Sequence, residues 1–366
     1  MLCVKLHDEC FSHNSRHRAI QPDRTCMLAF TSIPFRYHPS LSQRSLACVI
    51  ALVICFFHNN GKSGTLPGDE SSTYTTTDGV KFKVETVVTN LDVPWSLAFQ
   101  GEDLYFTERR GKLWVLRKGQ TKPVLVADVD DVEADGEGGL MGLAFHPEFK
   151  KNNFFYLSYS YKESGRTMNK VVRFRLLQNT IQRSRTIVDG LPGSGIHNGC
   201  RIRFGPDGKL YITTGDAARR EIAQDLSSLG GKVLRVNDDG SIPSDNPFRK
   251  SPVFSLGHRN GQGLDWHPTM HLLFEAEHGP SGFDGPGGGD EINLVEAGKN
   301  YGWPRVHHKE TAEGMASPLA EFTPAVAPSG ASFCTGRNIP AFKNNFFVAA
   351  LRGKRLLRVK LDPESG

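Results

Sequence analysis

Between residues 94 and 362 one short pattern recurs five times in the same order: an apolar strand with an aromatic anchor, a turn, a second apolar strand, and polar residues at its end. The copies read "PWSLAFQGEDLYFTERRGKLWVLRKG", "GLMGLAFHPEFKKNNFFYLSYSY", "CRIRFGPDGKLYITTGDA", "GQGLDWHPTMHLLFEAEHG" and "IPAFKNNFFVAALRGKRLLRVKLD". Their anchors, Phe99, Phe145, Phe204, Trp266 and Phe342, are separated by roughly 45 to 75 residues, the spacing of four-stranded blades with loops inserted on one face. The repeat predicts an all-β propeller. A sandwich with regular turns is the alternative, but it gives no reason for polar residues to recur at equivalent strand ends.

The chain has 366 residues, enough for one such array. Its 38 glycines and 21 prolines, free of low-complexity tracts, suit many tight turns. The formal charge of +5, without a dense Lys/Arg stripe, argues against nucleic acid and allows a small anionic ligand. Five of the seven cysteines (Cys3, Cys10, Cys26, Cys48, Cys55) lie in the first sixty residues, which is no disulfide framework. Cys200 reads as a small buried thiol, with a Cys200–Cys334 bridge as the open alternative.

Residues 1–79 form an extension distinct from the repeat region, 80–366. Residues 1–44 show no sustained period and predict disorder. The run "SLACVIALVICFF" (45–57), preceded by Arg44, has the length of a signal-peptide core and is shorter than a membrane span of about 20 residues. It predicts a secreted or periplasmic protein, with anchoring through this segment, or a buried strand, as alternatives. Met27 is an alternative start, and bulky Ile54 disfavours lipid attachment at Cys55. "NNGKSGTLPGDESSTYTTTDG" (59–79) reads as a polar linker.

The third copy carries the clearest chemistry. In "GSGIHNGCRIRFGPDGKLYITTGDAARR" (193–220), Ile202 and Phe204 lead into the turn "GPDG", and Leu210, Tyr211 and Ile212 lead out, a β-hairpin pattern. His197 precedes the first strand and Asp216 follows the second, so antiparallel pairing brings both to one rim. Imidazole titrates near neutrality and can take a proton as a general base, while a carboxylate on its other nitrogen fixes the tautomer.

These residues, with "GGKVLRVNDDGSIPSDNPF", "LGHRNGQGLDWHP" and "EHGPSGFDGPGGGDEINLVEAGKNYGWP", resemble the pyrroloquinoline quinone (PQQ)-dependent glucose/sorbosone dehydrogenases, in particular the soluble aldose sugar dehydrogenases. The resemblance covers about residues 80–362 and rests on several long motifs in one order. It implies a six-bladed β-propeller, PQQ in the central cleft with calcium beneath it, and oxidation of an aldose at its anomeric carbon to a lactone. An external electron acceptor then reoxidises the cofactor. By the resemblance His197 is the base, Asp216 its partner, and Arg259 faces the reacting quinone carbonyl beside Asn260. Arg352 stands where some relatives have a cofactor-binding lysine, and Glu137 where others have a glutamine. The carbonyls of Gly279 and Pro280 are the implied calcium ligands. Asp290 and Glu291 are either ligands or turn caps, and His278 and Asp284 have no assigned role.

The fifth copy runs into "RVKLDPESG", so about five of six blades are expected, with the C-terminal blade missing as in a fragment. Two other readings stay open: a calcium-dependent propeller hydrolase of lactones or esters, and a non-enzymatic propeller that binds a partner. The segment "HHKETAEGMASPLAEFTPAVAPSG" (307–330) is where sugar specificity is expected.

Overall fold

The computed structural model describes residues 4–6, 72–178, 180–352 and 355–361. The signal-like run 45–57, Cys55 and Met27 lie outside the described residues. Among the described residues, five four-stranded antiparallel sheets follow one another as blades of a propeller. The first contains Pro94–Gln100, Asp103–Glu108, Lys112–Leu116 and Val124–Asp128. Leu140–Phe145, Phe154–Glu163, Arg166–Leu177 and Thr180–Pro192 make the second. The third is Gly199–Phe204, Leu210–Thr214, Lys232–Val236 and Val253–Leu256. Gly261–Trp266, Leu273–Glu277, Asp290–Val295 and Ala320–Phe322 form the fourth. The fifth joins Pro328–Phe333, Phe346–Ala350 and Arg355–Leu361 to Val4–Leu6, which pairs with Arg355–Leu361 from the far end of the chain. Among the described residues, no helix is long and apolar enough to cross a membrane.

The second strand of each blade is buried on both faces because blades stack on each other. In the second blade, Phe155 and Leu157 point into a core shared with Tyr105, Leu113 and Val115 of the first. The alternate residue, Tyr156, enters the core shared with Ile202 and Ile212 of the third. This two-sided burial explains the near-continuous apolar run "FFYLSYSY". Each fully buried large side chain contributes about 1.5–3 kcal/mol relative to exposure.

The anchors Phe99, Phe145, Phe204 and Trp266 end or nearly end the inner strands of the first four blades. In the fifth blade the structure corrects the expectation. Phe333 ends the inner strand and stacks among Phe274 and Phe346, whereas Phe342 lies in the 3-10 turn Pro340–Phe342. The linker reading is also corrected at its end. Ser72–Thr75 pairs with Lys81–Val84, so the boundary drawn at residue 79 cuts a hairpin. Phe82 and Val84 pack on Phe347 and Leu356, the side of the fifth blade turned away from the fourth. Asp78 in its turn accepts hydrogen bonds from Arg358 and Lys360. Cys200 and Cys334 are buried thiols that are not bridged to each other; burial pushes the Cys200 thiol up to about 12.

All five inner strands share one irregularity. Their pairing with the second strand slips by one residue near the start, between 94 and 97, 140 and 143, 199 and 202, 261 and 263, and 328 and 331. Such β-bulges bend the strand and redirect side chains. Thr107, Ser158 and Thr213 hydroxyls donate to carbonyls of Met141, Cys200 and Gly261 on the next blade's bulged segment.

Candidate active site

The residues singled out from sequence meet on the rim where inner strands begin and second strands end. His197 lies just before Gly199–Phe204 and Asp216 just after Leu210–Thr214. Their side chains meet at 2.8 Å, His197 Nδ1 to Asp216 Oδ1, both buried. The second carboxylate oxygen accepts the indole N–H of Trp303 at 2.8 Å, and Oδ1 also accepts Ala218 N–H at 2.8 Å. Three donors converge on Asp216, so it remains an acceptor and orients the imidazole with Nδ1–H towards itself. Among the described residues no protein group is hydrogen-bonded to His197 Nε2. That nitrogen is the one available as a base.

The turn is strained where it presents this ring. His197, Cys200, Ala217 and Ala218 adopt left-handed backbone, φ 56°, 67°, 50° and 58°, which for residues with a Cβ costs about 1–2 kcal/mol each. Glu137 holds His197 there: its Oε2 accepts the His197 amide at 2.9 Å. Gly215 allows the close crossing, since a Cβ there would lie 1.8 Å from the His197 carbonyl oxygen. Gly199 is needed for the same kind of reason, against Thr214 and Gly215, whereas Gly195 faces open space.

Arg259 joins the same group through its backbone, its carbonyl accepting the Asp216 amide at 2.8 Å, and through Trp303, whose ring lies 5.4 Å below the guanidinium. The guanidinium is not open, however. Asp284 Oδ2 accepts from Arg259 Nε at 2.7 Å, with His278 O and Ser281 Oγ at 3.2 and 3.1 Å. Burial raises the Asp284 carboxyl, but the hydrogen bond and charge of Arg259 together with the Ser281 amide hold it below its usual range. Next to Asp284, Phe283 is 67% exposed, and its ring lies 6.0 Å from the His197 imidazole at 26°. The loop between Glu277 and Asp290 therefore reaches over both His197 and Arg259.

Asn260 Oδ1 accepts Gly199 N–H at 3.0 Å and Gln262 Nε2–H at 3.1 Å. Asp290 is a clasp, not an open ligand: Oδ1 takes Gly279 N–H, and Oδ2 takes Val326 and Ala327 N–H at 2.7 and 2.6 Å. Arg352, exposed in the turn after Phe346–Ala350, is tied to that rim by its amide on Val326 O at 3.0 Å. Pro280 O accepts Gly288 N–H at 3.2 Å. Gly279 O receives no hydrogen bond among the described residues, and a Cβ on Gly279 would sit 2.2 Å from Gly289 O. Glu291 is half-buried beside Glu277, and desolvation, then the Glu277 charge, pushes its carboxyl well up. Trp303 and Asp284 were not assigned from sequence; only the motif "YGWP" pointed at the first.

A model of the glucose/sorbosone dehydrogenase family matches residues 91–365. An aldose sugar dehydrogenase of Escherichia coli is 33% identical over 306 residues, spanning 76% of this chain and 80% of the relative. Quinoprotein glucose dehydrogenase B of Acinetobacter calcoaceticus is 35% identical over 269 residues, 64% of this chain and 55% of the relative. The PQQ-bound structure of aldose sugar dehydrogenase from Streptomyces coelicolor matches with a TM-score of 0.68 at 34% identity, covering 76% of this chain and 80% of that one.

Proposed function

The chain belongs to the glucose/sorbosone dehydrogenase family, and from that premise we propose that it oxidises an aldose at its anomeric carbon to the lactone, with PQQ as the electron acceptor. The observation that carries the reading is the His197–Asp216 pair at 2.8 Å, with Nε2 free, on the rim that also holds Arg259. A neutral His197 accepts the C1 hydroxyl proton at Nε2. Asp216 then stabilises the imidazolium without itself being protonated. When bound, PQQ supplies the acceptor for the hydride from C1.

The donor set fits such a cofactor. PQQ carries carboxylates and an ortho-quinone, and Arg259 is a buried guanidinium whose present partner, Asp284, is an anion that an incoming anionic group can replace. Arg352 supplies a second positive charge on the rim. The carbonyls of Gly279 and Pro280 would hold calcium, which favours oxygen ligands. Export to the periplasm or medium accords with this chemistry and is tested by fractionating cells that express the full-length chain.

The direct test reconstitutes the purified protein with PQQ and calcium and follows reduction of an artificial dye by a panel of aldoses. Turnover dependent on both PQQ and sugar is expected. Its absence, with lactone or ester hydrolysis in its place, would select the hydrolase reading. Phe283 gives a finer prediction. An aromatic face beside the base offers a stacking surface for the C–H face of a pyranose, worth about 0.5–1.5 kcal/mol. Phe283→Ala is therefore expected to raise KM roughly three- to tenfold with little change in kcat; an unchanged KM removes Phe283 from sugar binding.

A further inference from the structure

The fourth blade carries a buried charge group that this chemistry does not use. At one repeated position of the second strand, the other blades have Phe106, Leu157, Ile212 and Val348, register partners of Leu97, Leu143, Ile202 and Ala331. All four are buried. The fourth blade has Glu275 there, opposite Leu264 and 0% exposed. A carboxylate in an apolar slot costs several kcal/mol unless something compensates it.

What surrounds Glu275 is one imidazole and more acceptors. His258 Nδ1 lies 2.8 Å from Glu275 Oε2 and 2.9 Å from Glu277 Oε2. Nδ1 is within hydrogen-bonding reach of Glu277, and neither oxygen of Glu275 has a hydrogen-bond partner. On the adjacent strand Asn293 stands opposite Glu275, its Oδ1 also buried without a donor, and Glu291 stands opposite Glu277. Tyr301 stacks on His258. An imidazolium between two carboxylates still leaves one negative charge in the core.

We infer that His258, Glu275 and Glu277 bind one divalent transition-series cation, of the zinc or manganese kind, at a structural site beneath Arg259. Their ligand atoms all lie within 4.8 Å of one another. The 2.8 and 2.9 Å contacts match the edge of a coordination polyhedron, because ligands about 2.1 Å from a metal sit about 3.0 Å apart at right angles. Ligation through Nδ1 requires Nε2 to carry the hydrogen, and Ser255 Oγ stands 2.8 Å from Nε2 to accept it. Two carboxylates, a neutral imidazole and a divalent cation sum to zero charge. Calcium prefers six to eight oxygens, so the nitrogen ligand favours zinc or manganese over it. The group is sealed from solvent, which suits a cation that holds the scaffold and no substrate. Glu277 Oε1 accepts the Arg259 amide, so the site braces that residue from below.

The untagged full-length chain, stripped with EDTA, is incubated with Zn²⁺ or Mn²⁺ in excess Ca²⁺ and a weak competing chelator. It is then desalted and its metal counted by plasma mass spectrometry. About one Zn²⁺ or Mn²⁺ per chain is expected to remain, raising Tm, and Glu275→Gln is expected to keep less than about a tenth of it. No retained metal in the wild type, or equal retention in a folded Glu275→Gln, overturns the site. If Glu275→Gln does not fold, Ser255→Ala decides. It leaves the charges intact and is expected to weaken metal affinity about 10- to 100-fold, whereas unchanged affinity overturns the site. None of these readouts depends on sugar oxidation.

Discussion

Replacing His197 by alanine is expected to lower kcat for aldose oxidation roughly 10²- to 10⁴-fold, the usual contribution of a positioned general base, while PQQ binding changes little. The side chain can be removed without collapsing the turn, because the backbone is held independently. Its amide is bound to Glu137, its carbonyl accepts the Ala217 amide, and Gly215 leaves room for the crossing. His197→Asn is a useful companion, since asparagine tolerates the left-handed backbone that His197 adopts. Dye-reduction kinetics give kcat, and quenching of tryptophan fluorescence by PQQ gives the affinity. An unchanged kcat would remove His197 from the chemistry, and a parallel loss of PQQ affinity would reassign it to cofactor binding.

Asp216→Asn is expected to be nearly as damaging, by a different route. Asp216 receives three donors, from His197, Ala218 and Trp303, and donates none. An amide has one acceptor oxygen. Its NH₂ group must therefore oppose the indole N–H or turn towards His197 Nδ1 and drive the proton to Nε2, where the base is needed. The second outcome costs roughly 10²- to 10⁴-fold in kcat, by analogy with buried carboxylates that orient catalytic histidines. The first leaves a buried donor unpaired at about 1–3 kcal/mol, read as a lower Tm. Adding Trp303→Phe to Asp216→Asn should recover much of the stability without recovering kcat. A kcat within threefold of wild type in Asp216→Asn would show that tautomer control does not matter here.

The first four blades were legible because their hairpins are local: an anchor, a short turn, and a second strand. The fifth hid its inner strand. "PSGASF" contains only small residues before Phe333 and shows no alternation, while the more apolar segment around Phe342 imitated an anchor. The fourth strand of that blade, Val4–Leu6, pairs across most of the chain length, and no local pattern announces such a partner. The same division holds at the rim. His197 and Asp216 follow from one hairpin. The grip of Asp284 on Arg259 and the clasp of Asp290 on the turn at Val326 join separate loops, so the residue types alone left both roles open. Glu275 and Glu277 alternate along a strand end as exposed polar residues do, and only the packed neighbours reveal that they are buried.

The bulges shared by all five inner strands bear on how this rim can be altered. Each blade leaves the regular hydrogen-bond ladder near the same end, and the residues beyond that point answer to loops and hydroxyl bridges more than to strand pairing. Below it, alternating side chains lock neighbouring blades together. Loop grafts or length changes placed above the bulges should therefore rewrite substrate preference while the apolar stack keeps its melting behaviour. The same edits at the opposite, turn-closed ends would strike the anchors that set blade spacing. The molecule thus separates a rebuildable surface from a fixed frame, and a library aimed at new sugars belongs on one side of that line.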